Sequence, residues 1–117
     1  MARVLLFETT SGLASQLEWL LEADGHDVVE LSGPDAVRAL PAGPYDVAVL
    51  DIADTTGRGR AVLEALRADA RLAKVPVLAL TAAMVRCPEA AAEIWMPFDP
   101  KHLLDEIRRV VFRGGSG

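Results

Sequence analysis

The stretch YDVAVLD, residues 45–51, ends an apolar run on a single carboxylate. A short run rich in Val and Leu is typical of a strand buried in a parallel sheet. In a doubly wound α/β sheet, ligands bind at the edge formed by the carboxyl ends of the strands. We therefore expect Asp51 to stand at a functional edge, although an acid there can also be an ordinary polar end of a strand.

Four more apolar runs have the same character, and segments of helical period lie between them. The runs are VLLF (4–7), VVEL (28–31), VPVLAL (75–80) and IWM (94–96). Strands that alternate with helices form βα units and pair in parallel. The sequence therefore predicts an α/β fold with a doubly wound, five-stranded parallel sheet and up to five helices.

The helices are predicted from capping residues and apolar spacing. The first follows Ser11, which we expect to be its N-cap, and stops at Gly25. The second and third span residues 34–40 and 59–70, and the last begins at Asp99, an N-cap that precedes a proline.

The connection between the fourth and fifth strands, residues 81–93, is short for two loops and a crossover helix, and Pro88 would break that helix in its middle. We therefore expect the fourth helix to be shortened or missing. Strand alternation leaves open whether Trp95 packs under its remnant or faces a partner.

Composition excludes several classes of function. The net charge of −5 and the isoelectric point near 4.9 argue against direct binding of nucleic acid or of an anionic membrane, since Lys74 and Lys101 are the only lysines. No apolar run approaches the ~20 residues of a membrane span, and the first residues lack the pattern of a signal peptide. We expect a cytoplasmic protein whose domain covers residues 1–112, with residues 113–117 as a linker or a cloning remnant.

Five side chains have simple structural interpretations. The single cysteine, Cys87, excludes an intramolecular disulfide and is expected to pack as a small apolar group. His26 and His102 form no zinc ligand set by spacing and are expected at the surface. Trp19 is expected at the boundary of the packed face of the first helix, and the Thr81 hydroxyl can simply cap the next turn.

The segment ETTS, residues 8–11, follows the first predicted strand and places hydroxyls before a helix. Hydroxyls and backbone N–H groups at a helix N-terminus bind phosphate, so one alternative is a flavodoxin-like protein that binds flavin mononucleotide. A flavin ring needs aromatic walls, and Trp95 is the only Trp or Tyr near another strand end.

Four motifs, in this order and spacing, resemble the receiver domain of two-component response regulators from residue 3 to about residue 112. They are DVAVLDI (46–52), Gly59, VPVLALTAA (75–83) and MPFDP (96–100). The resemblance implies a flavodoxin-like sheet of strand order 2-1-3-4-5.

The resemblance also implies roles for individual residues. Asp51 matches the phosphoacceptor and Thr81 the switch hydroxyl. Magnesium would be held by Glu8, Asp51 and the backbone carbonyl of Ala53, because Mg²⁺ prefers oxygen ligands. Met96 replaces the lysine of the family, and a methionine cannot contact a phosphoryl oxygen with charge.

Further departures weaken the implied phosphorylation site. Thr9 stands where the second acid of the family is expected, so magnesium binding should be weak. Glu93 occupies the position of the aromatic switch residue. In the loop after the phosphoacceptor position, Asp54 and Arg58 are the charged side chains that can move toward the site.

Receivers commonly signal through the face formed by helix 4, strand 5 and helix 5. With helix 4 reduced, apolar side chains on this face are expected to be partly exposed, namely Met84, Val85, Ile94 and Trp95. Exposed apolar surface marks contact sites, so we expect a homodimer or protein-partner interface here.

The favoured function is an atypical receiver that acts as a signalling protein–protein interaction module, with phosphorylation impaired or absent. The alternative is a working phosphoreceiver, phosphorylated on Asp51 by a histidine kinase with magnesium. In neither case is the chain expected to be an enzyme beyond self-catalysed phosphorylation and dephosphorylation of its own aspartate.

Overall fold

A computed structural model describes residues 2–8, 11–31, 43–53, 57–82, 86–95 and 98–115. It contains five strands: β1 (Arg3–Phe7), β2 (Asp27–Leu31), β3 (Val47–Asp51), β4 (Val77–Thr81) and β5 (Ala92–Trp95). They form one sheet in the order β2-β1-β3-β4-β5, and all four pairings are parallel. The predicted fold class and strand order are therefore confirmed.

The strand boundaries differ from the apolar runs by one or two residues in every strand. Asp51 is the last residue of β3, at the carboxyl end of the strand as the sequence predicts. β5 begins at Ala92, two residues before the predicted run, because the Ala91 amide already donates to the Val77 carbonyl at 2.8 Å. Main-chain pairing with β4 therefore places in β5 two residues that the hydrophobicity pattern does not assign to a strand.

Three helices lie among the described residues: α1 (Ser11–Ala23), α2 (Arg58–Ala68) and α3 (Pro100–Gly115). Ser11 is the first residue of α1, and residues 9 and 10 before it lie outside the described part of the chain, so its role as N-cap stays a prediction. α3 begins as predicted, since the Asp99 carboxylate accepts a hydrogen bond from the Lys101 amide at 2.9 Å. α3 also extends three residues past the predicted domain boundary at residue 112.

The predicted second helix, residues 34–40, lies outside the described residues. Between β4 and β5, the described residues 82 and 86–91 contain no helix. They form a turn in which the Ala90 amide donates to the Cys87 carbonyl. The expected shortening or loss of the fourth helix therefore holds for the described part of this connection. No helix of the described residues has the length and apolar character that crossing a bilayer needs.

Strand alternation divides the core into two layers. In β1, Val4 and Leu6 face the layer that contains α1 and α3, whereas Leu5 and Phe7 face the layer that contains α2. Every residue of β3 and β4 is buried, as expected for central strands covered on both faces. The centre of the sheet is therefore shielded from solvent on both faces.

A chain of hydrogen bonds fastens the opposite, amino edge of the sheet. The Ala2 amide donates to His26 Nδ1 at 3.1 Å, so the ring proton is on Nε2, which donates to Asp24 at 3.0 Å. The other oxygen of Asp24 pairs with Arg108 of α3 at 2.8 Å. The His26 side chain is only 7% exposed, so its prediction as a surface residue is wrong, while His102 is exposed as expected.

Tyr45, also near the amino edge, is buried with its ring 5.2 Å from the Arg3 guanidinium carbon. Its hydroxyl has no hydrogen-bond partner within the described part of the chain. Burial raises the pKa of Tyr45, and the Arg3 charge opposes that rise. The hydroxyl is therefore a buried polar group without compensation, which is destabilising.

We expect Tyr45→Phe to leave the free energy of unfolding unchanged or to raise it by up to about 1 kcal/mol, because it removes that hydroxyl and keeps the ring. Urea unfolding measures the change. Tyr45→Ala is the control and should cost about 3 kcal/mol or more through the cavity it leaves. A loss of more than about 1 kcal/mol in the Phe variant would mean that the hydroxyl is satisfied after all.

Candidate functional site

Besides His26 and Tyr45 near the amino edge, three polar side chains are buried in the described part of the chain, and all three stand at the carboxyl edge of the sheet. Glu8 follows β1, Asp51 ends β3 and Thr81 ends β4. Buried carboxylates are rare unless they are paired or functional. The structure thus brings together three of the residues that the sequence singled out.

The strand register fixes how these side chains stand relative to one another. Phe7 pairs with Leu50, so Glu8 and Asp51 follow at the same level on neighbouring strands. Asp51 in turn pairs with Leu80, which puts Thr81 one residue further along. Glu8, Asp51 and Thr81 therefore stand at the ends of three neighbouring strands, which lie about 4.8 Å apart.

Asp51 is held by its own loop. Its Oδ1 accepts a hydrogen bond from the Ala53 amide at 3.0 Å, and the same amide lies 3.2 Å from the Leu80 carbonyl. This arrangement extends the β3–β4 ladder past the end of the strand and fixes the orientation of the carboxylate. It also positions Ala53, whose carbonyl the sequence proposes as a metal ligand.

α2 begins in direct contact with the main chain of Asp51. A Cβ atom at Gly59 would lie 1.8 Å from the Asp51 carbonyl oxygen and 2.7 Å from its carbon. Only glycine permits this approach, because no side-chain rotation removes a clash with backbone. Gly59 therefore has a structural reason to stand where the sequence comparison with receivers expects a glycine.

The Thr81 hydroxyl donates to the Ile94 carbonyl on β5 at 3.4 Å. Thr81 is fully buried, so this bond satisfies a donor that would otherwise be costly to bury. The hydroxyl therefore links β4 to β5 at the site edge.

The donor set at this edge is chemically suited to Mg²⁺ but small. Glu8 and Asp51 provide two carboxylates and Ala53 a carbonyl, and Mg²⁺ in proteins is often bound by one or two carboxylates with several waters. Among the described residues, no group of three or more His, Cys, Asp or Glu side chains is arranged to hold a metal ion. Thr9, Asp54 and Met96 lie outside the described residues.

The predicted contact surface is only partly supported. Ile94 is 1% exposed and packs in the layer of α1 and α3, so the prediction that it is exposed is wrong. Trp95 points to the opposite face by strand alternation and is 55% exposed. Met84 and Val85 lie outside the described residues.

Two further predictions about single residues have clear outcomes. Cys87 is fully buried in the layer of α2, as expected for a packed apolar group. Burial is the main reason that the pKa of its thiol is raised, and the nearby Glu89 adds to the rise. Trp19 is 71% exposed, so its prediction at a packing boundary is wrong.

Sequence reasoning missed the role of Glu93, which it treated only as a lost aromatic residue. One carboxylate oxygen accepts the Cys87 amide at 2.8 Å, and the other accepts a hydrogen bond from Arg86 at 3.3 Å. The amide hydrogen bond and the Arg86 guanidinium lower the pKa of Glu93. A turn separates Glu93 from these partners, and the sequence does not predict the course of that turn. The position of Glu93 in the sequence therefore gave no signal for these contacts.

Comparison with known proteins confirms the fold and no more. The sequence matches no protein-family model and no curated protein. Its structure is similar to a CheY-like receiver domain from Methanospirillum hungatei, with a TM-score of 0.83 and 17% identity over 98% of both chains. It is also similar to a chemotaxis protein of Vibrio cholerae, with a TM-score of 0.78 and 24% identity over 94% of this chain and 98% of that one.

A third similar structure is the receiver domain of a sensor histidine kinase from Pseudomonas aeruginosa, which holds a magnesium ion in its active-site cleft. The TM-score is 0.78 at 23% identity, over 94% of this chain and 97% of that one. The chain therefore has the fold of response regulator receiver domains.

We expect Gly59→Ala to lower the free energy of unfolding by about 3 kcal/mol or more, because the new Cβ must displace the main chain of Asp51 or α2. Gly57→Ala is the matched control. Gly57 has φ +79 but no atom near its Cβ position, so it should cost only about 1 kcal/mol. Equal losses in the two variants, measured by urea unfolding, would show that the close approach at Gly59 is not a constraint.

We also expect an acid-dependent weakening of the segment before β5. The lowered pKa of Glu93 means that its stabilising contribution is present above the ordinary Glu pKa of 4.5 and is lost as the pH falls through the folded-state value. Urea unfolding between about pH 6 and pH 3 should therefore show a flatter pH profile for Glu93→Gln than for the wild type.

The comparison of the wild type with Glu93→Gln isolates the contribution of Glu93 to the pH dependence of stability. The pKa of Glu18 is raised, chiefly by its hydrogen bond to Glu30, and acts with the opposite sign, but it does so equally in both. Identical pH profiles would contradict the assigned role of Glu93.

Proposed function

We propose that the chain is an atypical receiver domain, a signalling module that acts through protein contact and in which phosphorylation of Asp51 is impaired. The carrying observation is the composition of the carboxyl edge. It keeps Glu8, Asp51 and Thr81 together at the end of neighbouring strands, while Met96 stands where receivers have a lysine.

The physical reason lies in the charge that phosphoryl transfer must stabilise. When a carboxylate attacks a phosphoryl group, the charge spreads over the transferring oxygens and must be met by preorganised cations and hydrogen-bond donors. Magnesium, when bound, would neutralise part of that charge. Met96 contributes none, and a missing charge-assisted contact typically costs about 1.5–3 kcal/mol.

The residues that remain have definite tasks in this proposal. Asp51 would be the nucleophile, oriented by the Ala53 amide, and Glu8 would share a magnesium ion with it. The Thr81 hydroxyl would donate a hydrogen bond to a phosphoryl oxygen only after giving up its hydrogen bond to the Ile94 carbonyl. That bond must therefore be broken before the hydroxyl can assist, which further disfavours phosphorylation.

A working phosphoreceiver, modified by a histidine kinase, is the second candidate. It is favoured by the register that sets Glu8 level with Asp51, and by Arg58, a cation at the start of α2 next to Gly59. Flavin binding and a cytoplasmic location stay predictions, and visible absorbance of the purified protein tests the former.

We place the contact surface of the proposed module around Trp95 on β5. Its ring is large, apolar and exposed at the end of the strand that pairs with Thr81. A protein partner or a second copy of the chain would cover it, since aromatic side chains dominate the energetics of protein interfaces.

Phosphorylation is tested by incubating the protein with acetyl phosphate and Mg²⁺ and measuring its intact mass. We expect only a minor modified fraction in the wild type. Met96→Lys combined with Thr9→Asp should raise the initial rate of modification roughly 10- to 100-fold, because it restores the missing charges. Asp51→Asn is the control and should remove any modification. Stoichiometric modification of the wild type at Asp51 would overturn the proposal in favour of the second candidate.

A further inference from the structure

The described part of the β4–β5 connection that precedes β5, residues 86–91, is attached to β5 by one carboxylate. Glu93 accepts the Cys87 amide through Oε1 at 2.8 Å and the Arg86 guanidinium through Oε2 at 3.3 Å. A hydrogen bond from an amide to a carboxylate is charge-assisted and stronger than a neutral one. Glu93 therefore binds the backbone of the connection, and it also orients the Arg86 side chain.

The same segment is held from the other side by α2. Arg60 donates to the Arg86 carbonyl through one guanidinium nitrogen, and through the other it pairs with Glu89 at 3.4 Å. The Arg86 residue is thus engaged twice, by its side chain toward Glu93 and by its carbonyl toward Arg60. A bidentate guanidinium fixes geometry as well as energy.

Cys87 lies between these two attachments, and its side chain is fully buried in the layer of α2. The Ala91 amide then joins the Val77 carbonyl and starts the pairing of β5. Backbone, buried side chain and charged groups thus fix residues 86–91 together, in the place where a crossover helix would otherwise cover the sheet.

The position of residues 86–91 lets them influence the conformation of the surface around Trp95. It follows Thr81 along the chain, it precedes Trp95, and the Thr81 hydroxyl is bonded to β5 as well. A rearrangement that starts at Thr81 and reaches Trp95 must move β5 or residues 86–91. Glu93 belongs to β5 and binds Arg86 and Cys87, so it resists both movements.

We propose that Glu93 and Arg60 form a two-sided clamp that keeps the β4–β5 connection and the adjoining Trp95 surface in one conformation, whatever the state of Asp51. The surface is then ready for a partner without a phosphoryl group. The proposal rests on the proposed function only in taking this surface as the one that meets a partner, since the clamp itself is a property of the described contacts.

The clamp is tested through Cys87, which is the only cysteine of the chain. A thiol reagent such as Ellman's reagent reacts with it only when the connection opens or the whole domain unfolds. We expect Glu93→Gln and Arg60→Gln each to raise the labelling rate in the absence of urea by about fivefold or more, because each removes a charge-assisted attachment.

Matched controls separate the clamp from general effects of charge. Glu64→Gln changes an exposed acid on α2, and Arg71→Gln changes an arginine that pairs with Asp69 in its own turn. Both should label at the wild-type rate. The thiol pKa of each variant is measured alongside, so that rates are compared per thiolate.

The dependence on urea distinguishes local opening from global unfolding. Opening of the connection exposes little surface, so the extra labelling should change little at low urea. Labelling at the wild-type rate in both clamp variants would overturn the proposal, and so would an increase that follows the loss of global stability. Either failure is independent of the acetyl phosphate experiment, which tests Asp51 and not residues 86–91.

Discussion

The contact between Gly59 and the main chain of Asp51 is the constraint on which the rest of the site depends. Because no side chain intervenes at Gly59, the start of α2 lies directly against the main chain at the end of β3. The Asp51 carboxylate is then fixed by the Ala53 amide. The pairing of β3 with β1 and β4 then brings Glu8 and Thr81 to the same edge of the sheet.

The sheet has the fold of receiver domains, and the proposed function rests on the departures of its carboxyl edge from the receiver motif. Two carboxylates and a hydroxyl are buried at the ends of neighbouring strands, a costly arrangement that is found most often at functional sites. The proposed clamp on the β4–β5 connection leads to the same conclusion, that the contact surface does not depend on phosphorylation. A surface that ion pairs and a buried cysteine already hold needs no phosphoryl group to become ordered.

Much of the fold could be predicted from the sequence because buried parallel strands give continuous apolar runs, and β3 and β4 are buried at every position. The residues of the site could be placed because they directly follow or end those runs. Ala92 and Glu93 could not be assigned to β5, since main-chain pairing and not hydrophobicity puts them there.

Contacts between residues distant in the sequence account for the other errors. The burial of His26 depends on Ala2 and, through Asp24, on Arg108 in the last helix. The exposure of Trp19 depends on where the packed face of α1 ends, which apolar spacing alone locates only to within one position. Local periodicity contains no information of either kind.

The most direct test of the central claim is amide hydrogen exchange of residues 86–95, measured with and without Mg²⁺ and beryllofluoride, a mimic of the phosphoryl group. If the surface is held independently of Asp51, protection of these amides should be the same in both conditions. A marked change in their protection on adding the mimic would contradict the account, because the surface would then respond to the state of Asp51.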